Sequence, residues 1–123
     1  MALRCLIVDV SEEFLASAER LLAVQGLDVV GLAASGADAL RLALELRPDV
    51  ALVDVHLGDE DGLEVAQRIA TAAPATRVVL ISTHPEADLA ELVAGTPAAG
   101  FLAKTALSAS AIVGLVGAGP DPG

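Results

Sequence analysis

Short, nearly unbroken apolar runs alternate with longer segments of helical period along this chain, and that alternation limits the available folds more than any other feature. The runs are Leu3 to Val8 (interrupted by Arg4), Val29 to Ala34, Val50 to Val55, Val78 to Ile81 and the weaker Gly100 to Ala103. Strands that are apolar throughout belong to a sheet covered on both faces, which is the habit of parallel sheets. Between them, Phe14, Ala18, Leu21 and Leu22 follow a helical stripe with Ser11 as its N-cap, and Glu12 and Glu13 fall in its first turn, where the helix dipole favours acids. Leu40, Ala43 and Leu44 mark a second helix stopped by Pro48, and Leu63, Ala66, Ile69 and Ala70 a third. Leu89, Leu92 and Val93 mark a fourth, opened by Pro85 and ended near Gly95. Ala109, Ile112, Val113 and Val116 mark a short last one. The expectation is an α/β, doubly wound, five-stranded parallel sheet. One domain spans residues 1–117, and a Gly/Pro-rich flexible tail covers 118–123.

Composition narrows the functions. Hydrophobic residues make up 54% of the 123, but aromatics only 2%, so Ala, Leu and Val must fill the core. The net charge is -10 with 7 basic residues, which argues against binding nucleic acid or an anionic membrane, since both need clustered Lys and Arg. Cys5 lies in an apolar run and reads as a buried, inert thiol. No signal-peptide pattern opens the chain and no run is long enough to span a bilayer, so a cytoplasmic domain is expected. A small phosphatase or nucleotide-binding enzyme finds no support. There is no G-x-x-x-x-G-K-[ST] loop, no G-x-G-x-x-G after the first strand and no catalytic Cys, and Phe14 and Phe101 are too few to sandwich a flavin.

Right-handed crossovers bring all strand C-termini to one edge, where ligands gather in such sheets. Asp9 follows the first strand, Asp54 ends the third, Ser82 and Thr83 end the fourth, and Lys104 ends the fifth. Singly, each acid reads as a loop residue or helix cap, and the lysine as surface. Together they suit phosphoryl transfer, supplying oxygen ligands for Mg2+, a carboxylate nucleophile, and a cation and hydroxyl for phosphoryl oxygens.

Leu6-Ile7-Val8-Asp9, Ala51-Leu52-Val53-Asp54-Val55-His56-Leu57, Asp61-Gly62, Val79-Leu80-Ile81-Ser82 and Gly100-Phe101-Leu102-Ala103-Lys104, in this order and spacing, resemble the receiver domains of two-component response regulators. The resemblance implies a flavodoxin-like fold with strand order 2-1-3-4-5. It implies Asp54 as phosphoacceptor, with Asp9, Asp54 and the main-chain carbonyl of His56 as metal ligands, and the His56 imidazole as a bystander. Ser82 would be the switch hydroxyl, Lys104 the phosphoryl-binding cation and Phe101 the aromatic switch residue. A histidine kinase or a small-molecule phosphodonor such as acetyl phosphate would supply the group. Output would run through an unknown protein partner, with a homodimer through the fourth helix, fifth strand and fifth helix left open. A receiver catalyses at most its own phosphorylation and dephosphorylation, so no other enzyme activity is expected. The segment Pro97-Ala98-Ala99-Gly100-Phe101-Leu102 resembles the branch whose longer members carry a helix-turn-helix domain; none is expected here.

Two departures fall on the chemistry. Where receivers carry a second acid beside the first, this chain has Val10. Carboxylates about 5 Å apart repel by roughly 3 kcal/mol at an effective dielectric of 20, and Mg2+ relieves such terms. With Asp9, Asp54 and Lys104 the core of the site sums to −1 instead of −2, so Mg2+ is expected to bind weakly and phosphorylation to be impaired. Glu12 or Glu13 either reaches back to substitute or stays a first-turn helix acid. Thr105 stands where many receivers have proline, leaving the Lys104–Thr105 bond either a strained cis, at about 3–4 kcal/mol, or trans. Gly58 replaces another common proline and is expected to loosen a solvated turn through Asp59, Glu60 and Asp61. The alternative function is a degenerate receiver, a phosphorylation-independent binding or dimerisation module.

Overall fold

The computed structural model describes residues 2–83 and 95–117. In chain order its elements are β1 (Arg4–Val8), α1 (Glu12–Val24), β2 (Asp28–Ala33), α2 (Gly36–Leu46), β3 (Val50–Asp54), β4 (His56–Leu57), β5 (Glu60–Asp61), α3 (Gly62–Ala72), β6 (Arg77–Ser82), β7 (Gly100–Ala103) and α4 (Ala109–Val116). The helix expected between Pro85 and Gly95, and the tail from residue 118, lie outside the described residues. Five strands pair in parallel in the order β2-β1-β3-β6-β7, the doubly wound α/β arrangement.

Unbroken apolar strands follow from having a helical layer on each side. Leu6, Val8, Ala51, Val53, Val78 and Leu80 face one way and pack with Ala39, Ala43, Val65, Ala66 and Ile69 of α2 and α3. Their chain neighbours Cys5, Ile7, Val50, Leu52, Val79 and Ile81 face the other way, against Leu15, Ala18 and Leu22 of α1 and Ile112 and Val116 of α4. Alternation with period two thus sorts one apolar run into two cores. Each fully buried Leu or Ile is worth about 2 kcal/mol of transfer free energy. Cys5 is fully buried, which pushes its thiol up to about 12 and leaves it unreactive at neutral pH.

Helix ends are set by short polar side chains. Ser11, Ser35 and Ser108 accept from the backbone N–H groups of Phe14, Asp38 and Ala111, and Asp61 accepts from Leu63. Helix α2 stops at Arg47, which takes a left-handed φ of 48° immediately before Pro48.

The loop after Asp54 is tighter than its glycine suggested. His56 pairs with Asp61 and Leu57 with Glu60, making a two-residue hairpin across Gly58 and Asp59. Gly58 has φ 63°, the positive value that the first central position of a II′ hairpin turn demands, so the glycine closes the turn where loosening was expected. Glu60 and Asp61 are exposed, yet they are more than a solvated turn. A Glu60 carboxylate oxygen accepts from Gly36 N at 2.7 Å, tying the hairpin to the start of α2, while Asp61 caps α3.

Candidate functional site

Backbone pairing carries the candidate residues to one edge of the sheet. Asp9 continues the ladder beyond β1, its N–H donating to Ala33 O at 3.0 Å. Asp54 ends β3 opposite Ile81, and Ser82 follows opposite Ala103, the residue before Lys104. Burial here is deep for charged groups: Asp9 is 1% exposed and Asp54 5%.

Such burial needs a counter-charge, and Lys104 provides it. Its Nζ lies 2.9 Å from Asp54 Oδ2 and in ion-pair contact with Asp9 Oδ2. The remaining oxygens are held by the backbone. Ser11 N donates to Asp9 Oδ1 at 2.8 Å and His56 N to Asp54 Oδ1 at 3.1 Å. Lys104 Nζ also stands 4.5 Å from the centroid of the Phe14 ring, where a cation is attracted to the π face. Burial alone would lower the lysine pKa; hydrogen bonds and charge from Asp9 and Asp54 outweigh it and hold the ammonium above its usual range.

Of the residues singled out in the sequence, Asp9, Asp54 and Lys104 are in direct contact. Ser82 is buried at the adjoining strand end. Phe101 is half-buried and packs with the core under α2 and α3, and the His56 side chain is exposed. Glu12 and Glu13 lie exposed in the first turn of α1, as helix acids. The Lys104–Thr105 bond is trans, and the amine still reaches Asp54. Val10 is 46% exposed. The grooves lined by α2 and α3 include none of Asp9, Asp54, Ser82 or Lys104.

Residues 5–115 match the family model described as the response regulator receiver domain. The chain belongs to that family. Receivers as a class bind Mg2+ and work with histidine kinases and output domains. The chain is 35% identical over 105 residues to the response regulator GacA of Pseudomonas aeruginosa, covering 85% of this chain and 49% of that protein. It therefore spans about half the length of the curated relatives it matches. Among solved structures, the receiver domain of NarL from Mycobacterium tuberculosis superposes with a TM-score of 0.82 at 33% identity, covering 94% of this chain and 98% of that one. A Burkholderia pseudomallei response regulator, solved with a phosphorylated aspartic acid, a calcium ion and citrate, superposes with a TM-score of 0.80 at 27% identity, covering 91% of this chain and 65% of that one. No helix among the described residues is long and apolar enough to cross a membrane.

As a receiver, this chain has an unusual donor set. Among the described residues, three of the four oxygens of Asp9 and Asp54 accept a hydrogen bond, Asp9 Oδ2 has only its ion-pair contact with the Lys104 ammonium, and the adjacent position offers a valine. Among the described residues no group of three or more His, Cys, Asp or Glu side chains could hold a metal. These groups do not fit a tight Mg2+ site as they stand. Phe14 is the contact that sequence reading missed, having placed it in the hydrophobic stripe of α1. Its signal was position: one of two aromatics in the chain, one turn into the helix that starts beside Asp9.

Proposed function

We propose that this receiver accepts a phosphoryl group on Asp54 and signals by protein–protein interaction. The observation that carries the reading is a buried carboxylate at the strand edge with a lysine ammonium on its Oδ2. A carboxylate oxygen of Asp54 attacks phosphorus while the P–N bond of a kinase phosphohistidine, or the P–O bond of acetyl phosphate, breaks and leaves with its electron pair. Lys104 then pairs with the phosphoryl oxygens, and Ser82 hydrogen-bonds to them. Phe101 is the ring that moves with Ser82 and alters the protein-binding surface near β7. For Mg2+, the available protein groups are Asp9, Asp54 and the main-chain carbonyl of His56, and with Val10 beside them affinity is weak. A cytoplasmic location and a histidine kinase as donor belong to the same proposal.

Val10 favours a second reading, a degenerate receiver that binds or dimerises without phosphorylation. Exposure of the purified protein to acetyl phosphate, with and without Mg2+ and read by intact mass, separates the two. One added phosphoryl group in the native chain, absent from Asp54→Ala, is the expected result. An adduct in Val10→Asp but none in the native chain would overturn the first reading and leave the second.

A further inference from the structure

We propose that Lys104 is the resident cation of this site, and that Phe14 is the positioning residue that keeps its ammonium over the Asp9–Asp54 pair in place of a divalent ion. The proposal deepens the receiver reading but concerns the resting site only, before any phosphodonor is present.

Three observations converge on it. First, the ammonium makes contact with one oxygen of each buried carboxylate, at 2.9 Å from Asp54, while the other two oxygens are taken by backbone N–H groups of Ser11 and His56. An incoming metal therefore meets three carboxylate oxygens already hydrogen-bonded and a fourth, Asp9 Oδ2, held by its ion pair with the ammonium that the metal would have to displace. Second, the ring of Phe14 stands 4.5 Å from Nζ, so the ammonium is bounded by two anions and a π face. A lysine side chain is flexible and its ammonium is a compact, strongly hydrated charge. Holding it where its side chain is 15% exposed takes a partner for the water it has lost, and the ring supplies one. Third, the Val10 side chain offers no oxygen to a competing ion. It lies by the hairpin turn, where a Cβ at Gly58 would be 3.7 Å from Val10 Cγ1. The two anions with one internal cation leave −1 to attract a metal, and a hydrated divalent ion would have to displace a lysine already in place.

Metal affinity is the direct readout, because removing a competitor raises affinity, whereas loosening the fold lowers it. Mn2+ binding to the full chain, measured by calorimetry and by paramagnetic broadening of the amides around Asp54 with no phosphodonor, tests it. Phe14→Leu keeps apolar volume and loses the π face. It should bind Mn2+ about two- to fivefold more tightly than the native chain, the factor that corresponds to an exposed cation–π contact. Lys104→Gln should bind at least about tenfold more tightly, since the site charge falls from −1 to −2. Its thermal midpoint should rise further on adding Mg2+ than that of the native chain at matched ionic strength. Equal or weaker Mn2+ binding by a folded Phe14→Leu overturns the role of Phe14. Native binding as tight as that of Lys104→Gln overturns the resident-cation claim. Should Lys104→Gln not fold, Lys104→Met serves in its place, and Phe14→Leu still decides the proposal. Failure of Asp54 to accept a phosphoryl group leaves these results unchanged, so the two readings fail separately.

Discussion

Asp9 and Asp54 on one side, and Glu60 and Asp61 on the other, are the same functional group in two settings. The first pair is almost fully buried and shares one ammonium. The second pair is exposed on the hairpin, and each acid accepts from the backbone at the start of a helix, α2 for Glu60 and α3 for Asp61. Burial decides what a carboxylate does here. Buried, it must be neutralised by a specific partner or give up its charge, so it couples to one side chain. Exposed, it needs no partner, and its hydrogen bonds serve to position helices at small energetic gain.

Gly62 joins the two settings, and substituting it should produce the largest effect. It follows Asp61, its N–H donates to Val55 O, and a Cβ there would lie 1.9 Å from Asp54 O and 2.7 Å from Val55 Cα. Backbone cannot yield as a side-chain tip can. Gly62→Ala should cost about 3 kcal/mol or more in urea unfolding, the upper end of overpacking penalties. A Gly62→Ala protein as stable as the native one would show that the hairpin slides freely against β3, and the two sets of acids would then be mechanically independent.

Lys104→Met comes next and acts on the buried pair alone. Removing one member of a fully buried pair costs about 3–5 kcal/mol, but this lysine keeps some solvent contact and a carboxylate can take up a proton, so about 2 kcal/mol is expected. Its pH dependence has a definite sign. Because the folded-state pKa of Lys104 is raised, its contribution is complete below the unfolded value of about 10.4 and is lost as pH rises through the higher folded value. Denaturation of native and Lys104→Met proteins between about pH 8 and 11.5 should therefore show a constant difference that shrinks only at the alkaline end. A difference that vanished near the neutral end of that range would mean the ammonium is not held by these acids.

Much of the fold was legible because one signal dominated. Apolar runs free of polar alternation implied helices on both faces, and Ser11 and Pro48 punctuated α1 and α2 as their chemistry required. The strand-end residues were legible for the same reason, since parallel topology sends every C-terminus to one edge. What sequence could not give was direction. Glu60 looked like part of a solvated turn because its partner, Gly36 N, is 24 residues away and no local pattern marks it. Gly58 looked loosening because a missing proline is visible in sequence, whereas a positive φ is not. Phe14 looked like core because helical period reports which face a residue occupies, and a ring on that face can still turn its π surface toward the strand ends.

The smallest effect tests the exposed side of the comparison. Glu60→Ala removes a charge-assisted hydrogen bond of 2.7 Å at the first residue of α2, and should cost about 1 kcal/mol. Glu60→Gln keeps an acceptor oxygen but not the charge, so it should lose only the helix-dipole part, about 0.5 kcal/mol. Asp59→Ala, at the exposed tip of the turn, should stay within about 0.5 kcal/mol of native stability. Salt then separates the two classes of acid. Raising NaCl from about 0.1 to 1 M shortens the screening length from about 10 to 3 Å, which weakens exposed charges and leaves buried ones nearly untouched. The difference between Glu60→Gln and the native chain should therefore shrink toward zero in high salt, while the cost of Lys104→Met stays the same. If both costs fell together, the Asp9–Lys104–Asp54 cluster would be open to solvent ions, and burial would not be what distinguishes the two pairs.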